Sequence, residues 1–106
     1  MSGILSTAEN LIGKETGKFD CSGFVVHCYK QNGINNVPHS SAQIWINGAV
    51  GDGSAGDIVC WDGHVGICDG NGNVIHSYRS DQKIYIDSIS DVSKWDKKSL
   101  KGYKRF

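Results

Sequence analysis

The spacing of the apolar residues changes near Gly51, and this change constrains the fold more than any other feature of the chain. Upstream, apolar residues recur every three or four positions, which is the period of an amphipathic helix. Downstream, they stand in short runs with a period of two, bounded by Gly, Asp and Asn, as in antiparallel sheets. The sequence therefore predicts an α+β fold, with helices first and a sheet of about five strands after them.

Three helices are predicted in the upstream half. The first has Ser2 or Ser6 as its N-cap and ends at Gly13. The second follows Asp20, a residue type that caps helices, and ends near Gly33. A third, short helix is predicted to open at Ser40, in the sequence SSAQIWIN. The buried faces of the first two helices are formed by Ile4, Leu5, Ala8, Leu11, Ile12, Cys21, Phe24, Val25 and Cys28.

Five strands are predicted downstream, arranged as an antiparallel meander. They are the sequences GDIVCW, HVGICD, NVIHSYR, QKIYID and GYKRF. The polar sequence SISDVSKWDKKSLKG, which precedes the last strand, predicts a surface connection with a helical turn.

The length of 106 residues predicts one domain that spans residues 1–106. Lysine plus arginine and aspartate plus glutamate each number 11, so there is no net charge to hold nucleic acid or an anionic membrane surface. The apolar runs are too short for membrane insertion. The first residues lack the features of a signal peptide, so we expect delivery by lysis, by specialised export or as a domain of a larger protein.

Cys21 is the first candidate for chemistry, because it falls in the first turn of the second predicted helix. Unpaired backbone N–H groups and the helix dipole favour an anion there and are expected to lower the pKa of a thiol. The alternative is packing alone, since free cysteine is among the most buried residue types. On this basis, Cys21 can be either a nucleophile or a small residue of the core.

His64 and His76 are the candidates for a base and for the residue that orients it. His64 opens a predicted strand, where it can serve a nucleophile or simply lie at the surface. With a three-residue turn at Asp69-Gly70-Asn71, the two histidines lie directly opposite each other, with Cβ atoms about 5 Å apart. A two-residue turn at Gly70-Asn71 turns His76 to the other face. The mechanistic hypothesis therefore predicts a turn of odd length or a bulge.

The four cysteines, Cys21, Cys28, Cys60 and Cys68, do not predict a metal site. Their spacings differ from the short pairs that bind zinc. Strand residues four positions apart lie about 13 Å from each other, too far for Cys60, His64 and Cys68 to share an ion. If the second helix runs along the strand of His64, Cys28 approaches Cys68, which predicts that these two pack in the core as reduced thiols.

A set of ordered motifs joins these candidates into one pattern. The motifs are FDCSGFV at residues 19–25, GDIV at 56–59, HVGI at 64–67 and VIHS at 74–77. Together they resemble the NlpC-type family of bacterial cell-wall cysteine peptidases, and the match covers about residues 19–79.

The resemblance implies a papain-like NlpC-type fold, with N-terminal helices packed on an antiparallel sheet. It also implies a peptidoglycan hydrolase that needs no metal and no organic cofactor. Such enzymes most often cut the stem peptide between γ-D-glutamate and diaminopimelate or L-lysine. By position, the resemblance makes Cys21 the nucleophile, His64 the base and His76 the residue that orients the base. Substrate-contacting positions are matched by Asp20, Ser22, His39, Ser40 and Gln43, with His39 where an arginine is common.

Other functions are compatible with the same residues. The triad could act as a muramoyl-L-alanine amidase or as an endopeptidase on crosslinks. A lipid acyltransferase and an inactive wall-binding module are further alternatives. Under the main hypothesis, the expected partner is the peptide stem of peptidoglycan in the bacterial cell wall. The chain is expected to act as a monomer. An immunity protein or a targeting partner is left open, and the sequence LIGKETGKF lacks the aromatic and Gly-Gly pattern found before the motif in many relatives.

Overall fold

The computed structural model describes residues 3–14, 18–78, 82–95 and 99–106. The helices in these ranges are α1 (Gly3–Leu11), α2 (Cys21–Lys30), α3 (Ser41–Asn47) and α4 (Ile89–Val92). The strands are β1 (Ala49–Val50), β2 (Ile58–Trp61), β3 (His64–Cys68), β4 (Asn73–Ser77), β5 (Ile84–Ser88) and β6 (Leu100–Arg105). The predicted α+β class is confirmed. Among the described helices, none is long and apolar enough to cross a bilayer.

Two helices begin at the caps that the sequence predicts. At the start of α2, the Asp20 carboxylate accepts a hydrogen bond from the Gly23 N–H at 2.7 Å. At the start of α3, the Ser40 hydroxyl accepts one from the Gln43 N–H at 3.3 Å. Both side chains satisfy N–H groups that have no partner within the helix, and they fix where each helix starts.

The first helix is tied to the far edge of the sheet. It begins at Gly3, so Ser6 lies inside the helix and its prediction as N-cap is wrong, while Ser2 lies outside the described residues. Past its end, Gly13 adopts a positive φ of 80°. The Gly13 N–H donates to the Ile84 carbonyl at 2.8 Å, which joins this segment to β5.

In the described ranges the sheet has six strands in the order β1-β6-β2-β3-β4-β5, and neighbouring strands run antiparallel. The five predicted strands are present, but they do not form a simple meander, because β6 returns to pair with β2. The sixth strand, β1, has only two residues and pairs with β6. A period of two identifies a strand but does not say which neighbour it pairs with, and this explains the difference.

Apolar side chains pack on both faces of the sheet. Helices α1, α2 and α3 cover one face, with a core formed by Ala8, Phe24, Val25, Cys28, Tyr29, Val37, Ile44, Ile58, Cys60, Val65, Ile67, Ile75 and Ile84. The second face carries a smaller cluster formed by Val59, Trp61, Cys68, Val74, Ile89 and Val92.

The second cluster corrects two predictions. Ile89 and Val92 of α4 are buried in it, so the segment before β6 covers the sheet and is not only a surface connection. Cys68 also belongs to this cluster, whereas Cys28 packs on the helix side. The prediction that Cys28 and Cys68 pack together is therefore wrong. Ile67 faces the helices, and the next residue of the strand, Cys68, points to the opposite face of the sheet.

Two buried hydroxyl groups fix α2 and the segment before it to the sheet. The Tyr29 hydroxyl donates to the Gly56 carbonyl at 2.7 Å. The Ser77 hydroxyl, at the end of β4, donates to the Phe19 carbonyl at 2.7 Å. The second bond connects the residues that lead into Cys21 directly to the strand that carries His76.

A charged cluster holds the loop before β2. The Asp57 carboxylate, almost fully buried, accepts from the Arg105 guanidinium at 2.9 and 2.7 Å. It also accepts from the N–H groups of Asp52 and Gly53 at 3.0 and 3.2 Å. The GDIV motif at residues 56–59, which contains Asp57, therefore has a structural role: its carboxylate holds the loop between β1 and β2.

Candidate active site

Cys21 is the first residue of α2, and its side chain is partly buried. Burial is the largest influence on its thiol and raises the pKa, as does the nearby Asp20 carboxylate. The N–H of Val65, followed by those of Ser22 and Cys21 itself, lowers the pKa. The N–H groups at the helix start thus lower the pKa of the thiol as expected, but burial outweighs them and the net pKa is raised. A thiolate here therefore needs a base that takes the proton.

The approach of Val65 locates the thiol within the fold. Val65 is the second residue of β3, and its N–H group lies close enough to the Cys21 sulfur to act as a hydrogen-bond donor. His64 is the residue directly before it. The start of α2 and the start of β3 are thus brought together, as the motif pattern implies for a nucleophile and a base.

His64 and His76 are hydrogen-bonded to each other and to a third residue, Asp87. The His64 Nε2 atom lies 2.8 Å from His76 Nδ1, and His76 Nε2 lies 2.9 Å from Asp87 Oδ2. The two histidines are 4% and 0% exposed, and the Asp87 side chain is 28% exposed. We refer to His64, His76 and Asp87 as the His–His–Asp array. It joins three adjacent strands, β3, β4 and β5.

The register of β3 and β4 differs from the one predicted. Ile67 pairs with Ile75, two residues further along β4 than expected, so His64 and His76 share a face but are not directly opposite. The odd turn length is correct, but the turn is shifted. The Asp69 N–H donates to the Asn73 carbonyl at 3.1 Å, and the Asp69 carboxylate accepts from the Asn73 N–H at 3.1 Å. These bonds keep Asp69 in the strand pairing.

Gly66 permits the close packing that brings His76 under His64. A Cβ atom at this position would lie 2.3 Å from Val74 Cγ2 and 2.9 Å from His76 Cβ. Both distances are shorter than an ordinary carbon–carbon contact of about 3.5–4.0 Å. Only glycine fits at this point of β3 without moving the strand that carries His76.

Aromatic rings surround the two histidines. The Trp61 and Tyr78 rings lie 5.6 and 5.3 Å from the His64 ring, measured between centroids. The Trp95 ring is stacked at 6.3 Å on the His76 ring. These rings displace water from the array, and a drier site strengthens hydrogen bonds between charged or polar groups.

Asp20 and His39 form an exposed pair next to Cys21. The Asp20 Oδ1 atom lies 2.9 Å from His39 Nε2, and this hydrogen bond is the largest influence on the carboxyl group, whose pKa is lowered. The two side chains are 62% and 63% exposed. A Cβ atom at Gly23 would lie 2.7 Å from Asp20 Oδ1 and 3.1 Å from His39 Nε2, so a glycine leaves room for the pair. Ser22 is buried and hydrogen-bonds the Asp20 side chain.

Ser40 and Gln43 lie at the start of α3. The Ser40 hydroxyl is the helix cap, and the Gln43 amide oxygen accepts from Asn47 Nδ2 at 3.0 Å. Both polar groups thus make hydrogen bonds within this helix. Of the three predicted contact residues on this segment, His39 is the one that reaches Asp20.

A groove runs along the flank of α2 from the Asp20–His39 pair. Its volume is about 300 Å³, and the residues that line it are Lys18, Phe19, Gly23, Val26, His27, Lys30 and His39. Burial, followed by the positive charge of Lys18, lowers the pKa of His27. The lining combines an apolar surface with basic side chains.

Comparison with known families agrees with the motifs and the geometry. The model of the NlpC/P60 family matches residues 10–103, which include Cys21 and the whole His–His–Asp array. The chain belongs to the NlpC/P60 family. The family predicted from the motifs is thus confirmed, and with it the class of cysteine peptidases.

A curated relative and two solved structures illustrate this membership. "Probable endopeptidase p60" of Listeria seeligeri is 33% identical over 100 residues, which are 81% of this chain and 19% of that protein. An NlpC/P60 family protein from Bacillus cereus has a TM-score of 0.77 and 27% identity, and the match covers 98% of this chain and 39% of that one. The NlpC/p60 domain of the peptidoglycan hydrolase SagA has a TM-score of 0.74 and 24% identity, with 98% and 97% covered.

The curated relatives that the chain matches are much longer proteins. The chain spans 18% of a probable endopeptidase of Mycobacterium tuberculosis and 16% of protein P54 of Enterococcus faecium. The match therefore concerns a small part of each of these proteins.

The candidate site contains two residues, Asp87 and Ser77, that have no local signal in the sequence. Asp87 ends a predicted strand, but its role depends on the pairing of Val74 with Asp87, which places it diagonally from His76. Ser77 is missed for a similar reason, because its partner is 58 residues away in the sequence. In the described part of the chain, no three His, Cys, Asp or Glu side chains form a group that could hold a metal ion.

Proposed function

We propose that this chain is a peptidoglycan endopeptidase that cuts a stem peptide between γ-D-glutamate and diaminopimelate or L-lysine. The observation that carries the proposal is the buried His–His–Asp array. Its first residue, His64, directly precedes Val65, whose N–H lowers the pKa of the Cys21 thiol. The names of relatives, an endopeptidase and a peptidoglycan hydrolase, support the substrate class. We also propose that residues 1–106 act on the cell wall as one monomeric catalytic domain.

Cys21 is the nucleophile in this mechanism and His64 is the base. His64 Nε2 is bonded to His76, so we assign Nδ1 to the Cys21 thiol. Transfer of the thiol proton to Nδ1 gives a thiolate and an imidazolium, and the thiolate attacks the scissile carbonyl carbon. The pKa of the isolated thiol is raised by burial, so the imidazolium is required to stabilise the thiolate.

The start of α2 stabilises the oxyanion that forms on the attacked carbonyl. Asp20 occupies two first-turn donors, because its carboxylate accepts from the Gly23 N–H and its carbonyl from the Phe24 N–H. We assign the Cys21 N–H, at the positive end of the helix dipole, to the oxyanion. The His64 imidazolium then protonates the leaving amine as the C–N bond breaks, and water hydrolyses the thioester.

His76 orients His64, and the aromatic rings keep water away from both. His76 is fully buried and bonded at both ring nitrogens, so it holds the His64 ring in one orientation. The Trp61 and Tyr78 rings beside His64 limit its movement.

The substrate side of the site lies at the Asp20–His39 pair. We assign contacts with the peptide stem to Asp20, Ser22 and His39, while Ser40 and Gln43 border the cleft through α3. The groove beside the pair is lined by Lys18 and Lys30, whose positive charges would attract the carboxylate groups of a stem peptide.

The test is mass spectrometry of purified muropeptides incubated with the chain. Cleavage after γ-D-glutamate is expected, and it should disappear in the Cys21→Ala variant. Release of intact stems would indicate an amidase, and separation of crosslinked stems would indicate a crosslink endopeptidase. Either result would overturn the proposed bond. Absence of any product, with the fold intact, would overturn the enzymatic function.

A further inference from the structure

We infer that Asp87 is a positioning residue that sets the direction of the hydrogen bonds through His76 and His64, so that the base faces the thiol in the form that accepts a proton. This inference rests on the proposed roles of Cys21 and His64. It adds a fourth residue to the three that the sequence motifs supply.

The strand register places Asp87 where it can do this. Val74 pairs with Asp87 and His76 pairs with Tyr85, so Asp87 and His76 are diagonal neighbours on one face of the sheet. The His76 Nε2 atom lies 2.9 Å from Asp87 Oδ2. His76 is fully buried, while Asp87 retains 28% exposure at the edge of the array.

The chemistry of the three groups then fixes each proton in turn. An ionised carboxylate only accepts hydrogen bonds, so His76 Nε2 carries the proton that is shared with Asp87. Neutral His76 is therefore unprotonated at Nδ1, and its partner, Nε2 of His64, must donate across the distance of 2.8 Å. Neutral His64 is consequently unprotonated at Nδ1, which is the nitrogen assigned to the thiol.

Without the carboxylate, the same pair of rings could be bonded in the opposite direction. His76 Nδ1 would then donate to His64 Nε2, and the proton of neutral His64 would sit on Nδ1. That tautomer cannot accept the thiol proton. The array thus selects one of two tautomers that two histidines alone leave nearly equivalent.

The charge of Asp87 also favours the imidazolium that forms when Cys21 is deprotonated. Within the described ranges, the titratable side chains nearest the two histidines are Tyr78 after β4, Tyr85 and Asp87 on β5, and Cys21 at the start of α2. The short helix α4, packed against β5, contributes the exposed Asp91. Asp87 hydrogen-bonds His76 through its carboxylate. The Trp95 and Tyr78 rings beside His76 partly shield this hydrogen bond from solvent.

The test follows the array without any substrate. Ring nitrogens of ¹⁵N-histidine-labelled protein report the tautomers by NMR, and the rate of Cys21 alkylation by iodoacetamide, followed by peptide mass spectrometry, reports thiolate formation against pH. In Asp87→Ala we expect loss of the single tautomer at His64. We also expect alkylation near neutral pH to slow about 10- to 100-fold, with the profile moved to higher pH.

Three variants make the result decisive. Asp87→Glu should partly restore the wild-type profile, because it returns a carboxylate. Asp87→Leu is close in size, offers His76 neither an acceptor nor a donor and should also lose the single tautomer, so it decides the matter if Asp87→Ala fails to fold. Asp62→Asn removes an exposed charge in the turn before His64 and should change neither readout.

The outcomes separate this inference from the proposed function. Wild-type tautomers and an unchanged alkylation profile in folded Asp87→Leu or Asp87→Ala would overturn the role of Asp87. If His64→Ala also leaves Cys21 alkylation unchanged, the Cys21–His64 pair itself is overturned. If His64→Ala slows alkylation and the Asp87 variants do not, only the role of Asp87 is lost.

Discussion

Replacing Gly66 by alanine tests whether the close approach of β3 and β4 keeps His76 in position. The added Cβ would lie 2.3 Å from Val74 Cγ2, 2.9 Å from His76 Cβ and 3.1 Å from the Ile75 carbonyl oxygen. The Val74 methyl group can turn away, but His76 Cβ is fixed to the backbone and falls about 0.6–1.1 Å short of an ordinary contact. The two strands must therefore move apart next to the His64–His76 hydrogen bond.

The short distances to the added Cβ lower the free energy of unfolding. Overpacking of this kind costs about 1–3 kcal/mol. The reduced freedom of the unfolded chain offsets about 0.5–1 kcal/mol of it. We expect a net loss of about 1 kcal/mol in the free energy of unfolding. A displacement of His76 approaching 1 Å should also slow hydrolysis by about 10- to 100-fold.

Urea unfolding and the rate of stem-peptide hydrolysis measure the two effects on the same preparation. Gly3→Ala is the matched control, because its added Cβ, 2.3 Å from Asn32 Oδ1, meets the end of a side chain that can move. The control should keep wild-type activity. If Gly66→Ala is as stable and as active as the wild type, the tight packing of β3 against His76 is not what positions the array.

Three further substitutions test separate parts of the site. His76→Ala should slow hydrolysis about 10- to 100-fold without abolishing it, because His76 acts through His64; an unchanged rate would remove it from the mechanism. Ser77→Ala leaves the Phe19 carbonyl without its hydroxyl donor and should cost about 1–3 kcal/mol in urea unfolding; wild-type stability would contradict this anchor. Lys30→Glu should raise the KM for a stem peptide about two- to fivefold with kcat unchanged, and Lys94→Glu, the control, should not; equal effects would exclude specific attraction by the groove.

Much of the fold could be predicted because its signals are local. The capping residues Asp20 and Ser40 precede α2 and α3 as expected, since a cap acts within three residues of itself. The change of period near Gly51 marks the start of the sheet for the same reason. Cys21, His64 and His76 could be selected because the motifs that contain them are short and ordered.

The remaining features depend on contacts between distant parts of the chain. The register of β3 and β4 is two residues from the expected one because Asp69 stays in the strand pairing. Asp87 acquires its contact with His76 only through the register of β4 and β5. The raised pKa of the Cys21 thiol likewise reflects burial beneath surrounding segments, which outweighs the helix start. None of these three features has a signal within a single segment.

The central claim is that Cys21 is the nucleophile, and the most direct measurement compares muropeptide hydrolysis by Cys21→Ala and Cys28→Ala. Both variants remove one thiol from the same helix, but Cys28 is packed in the core on the helix side of the sheet. We expect no hydrolysis by folded Cys21→Ala and retained hydrolysis by Cys28→Ala wherever that variant folds. Hydrolysis by Cys21→Ala at a rate near that of the wild type would contradict it.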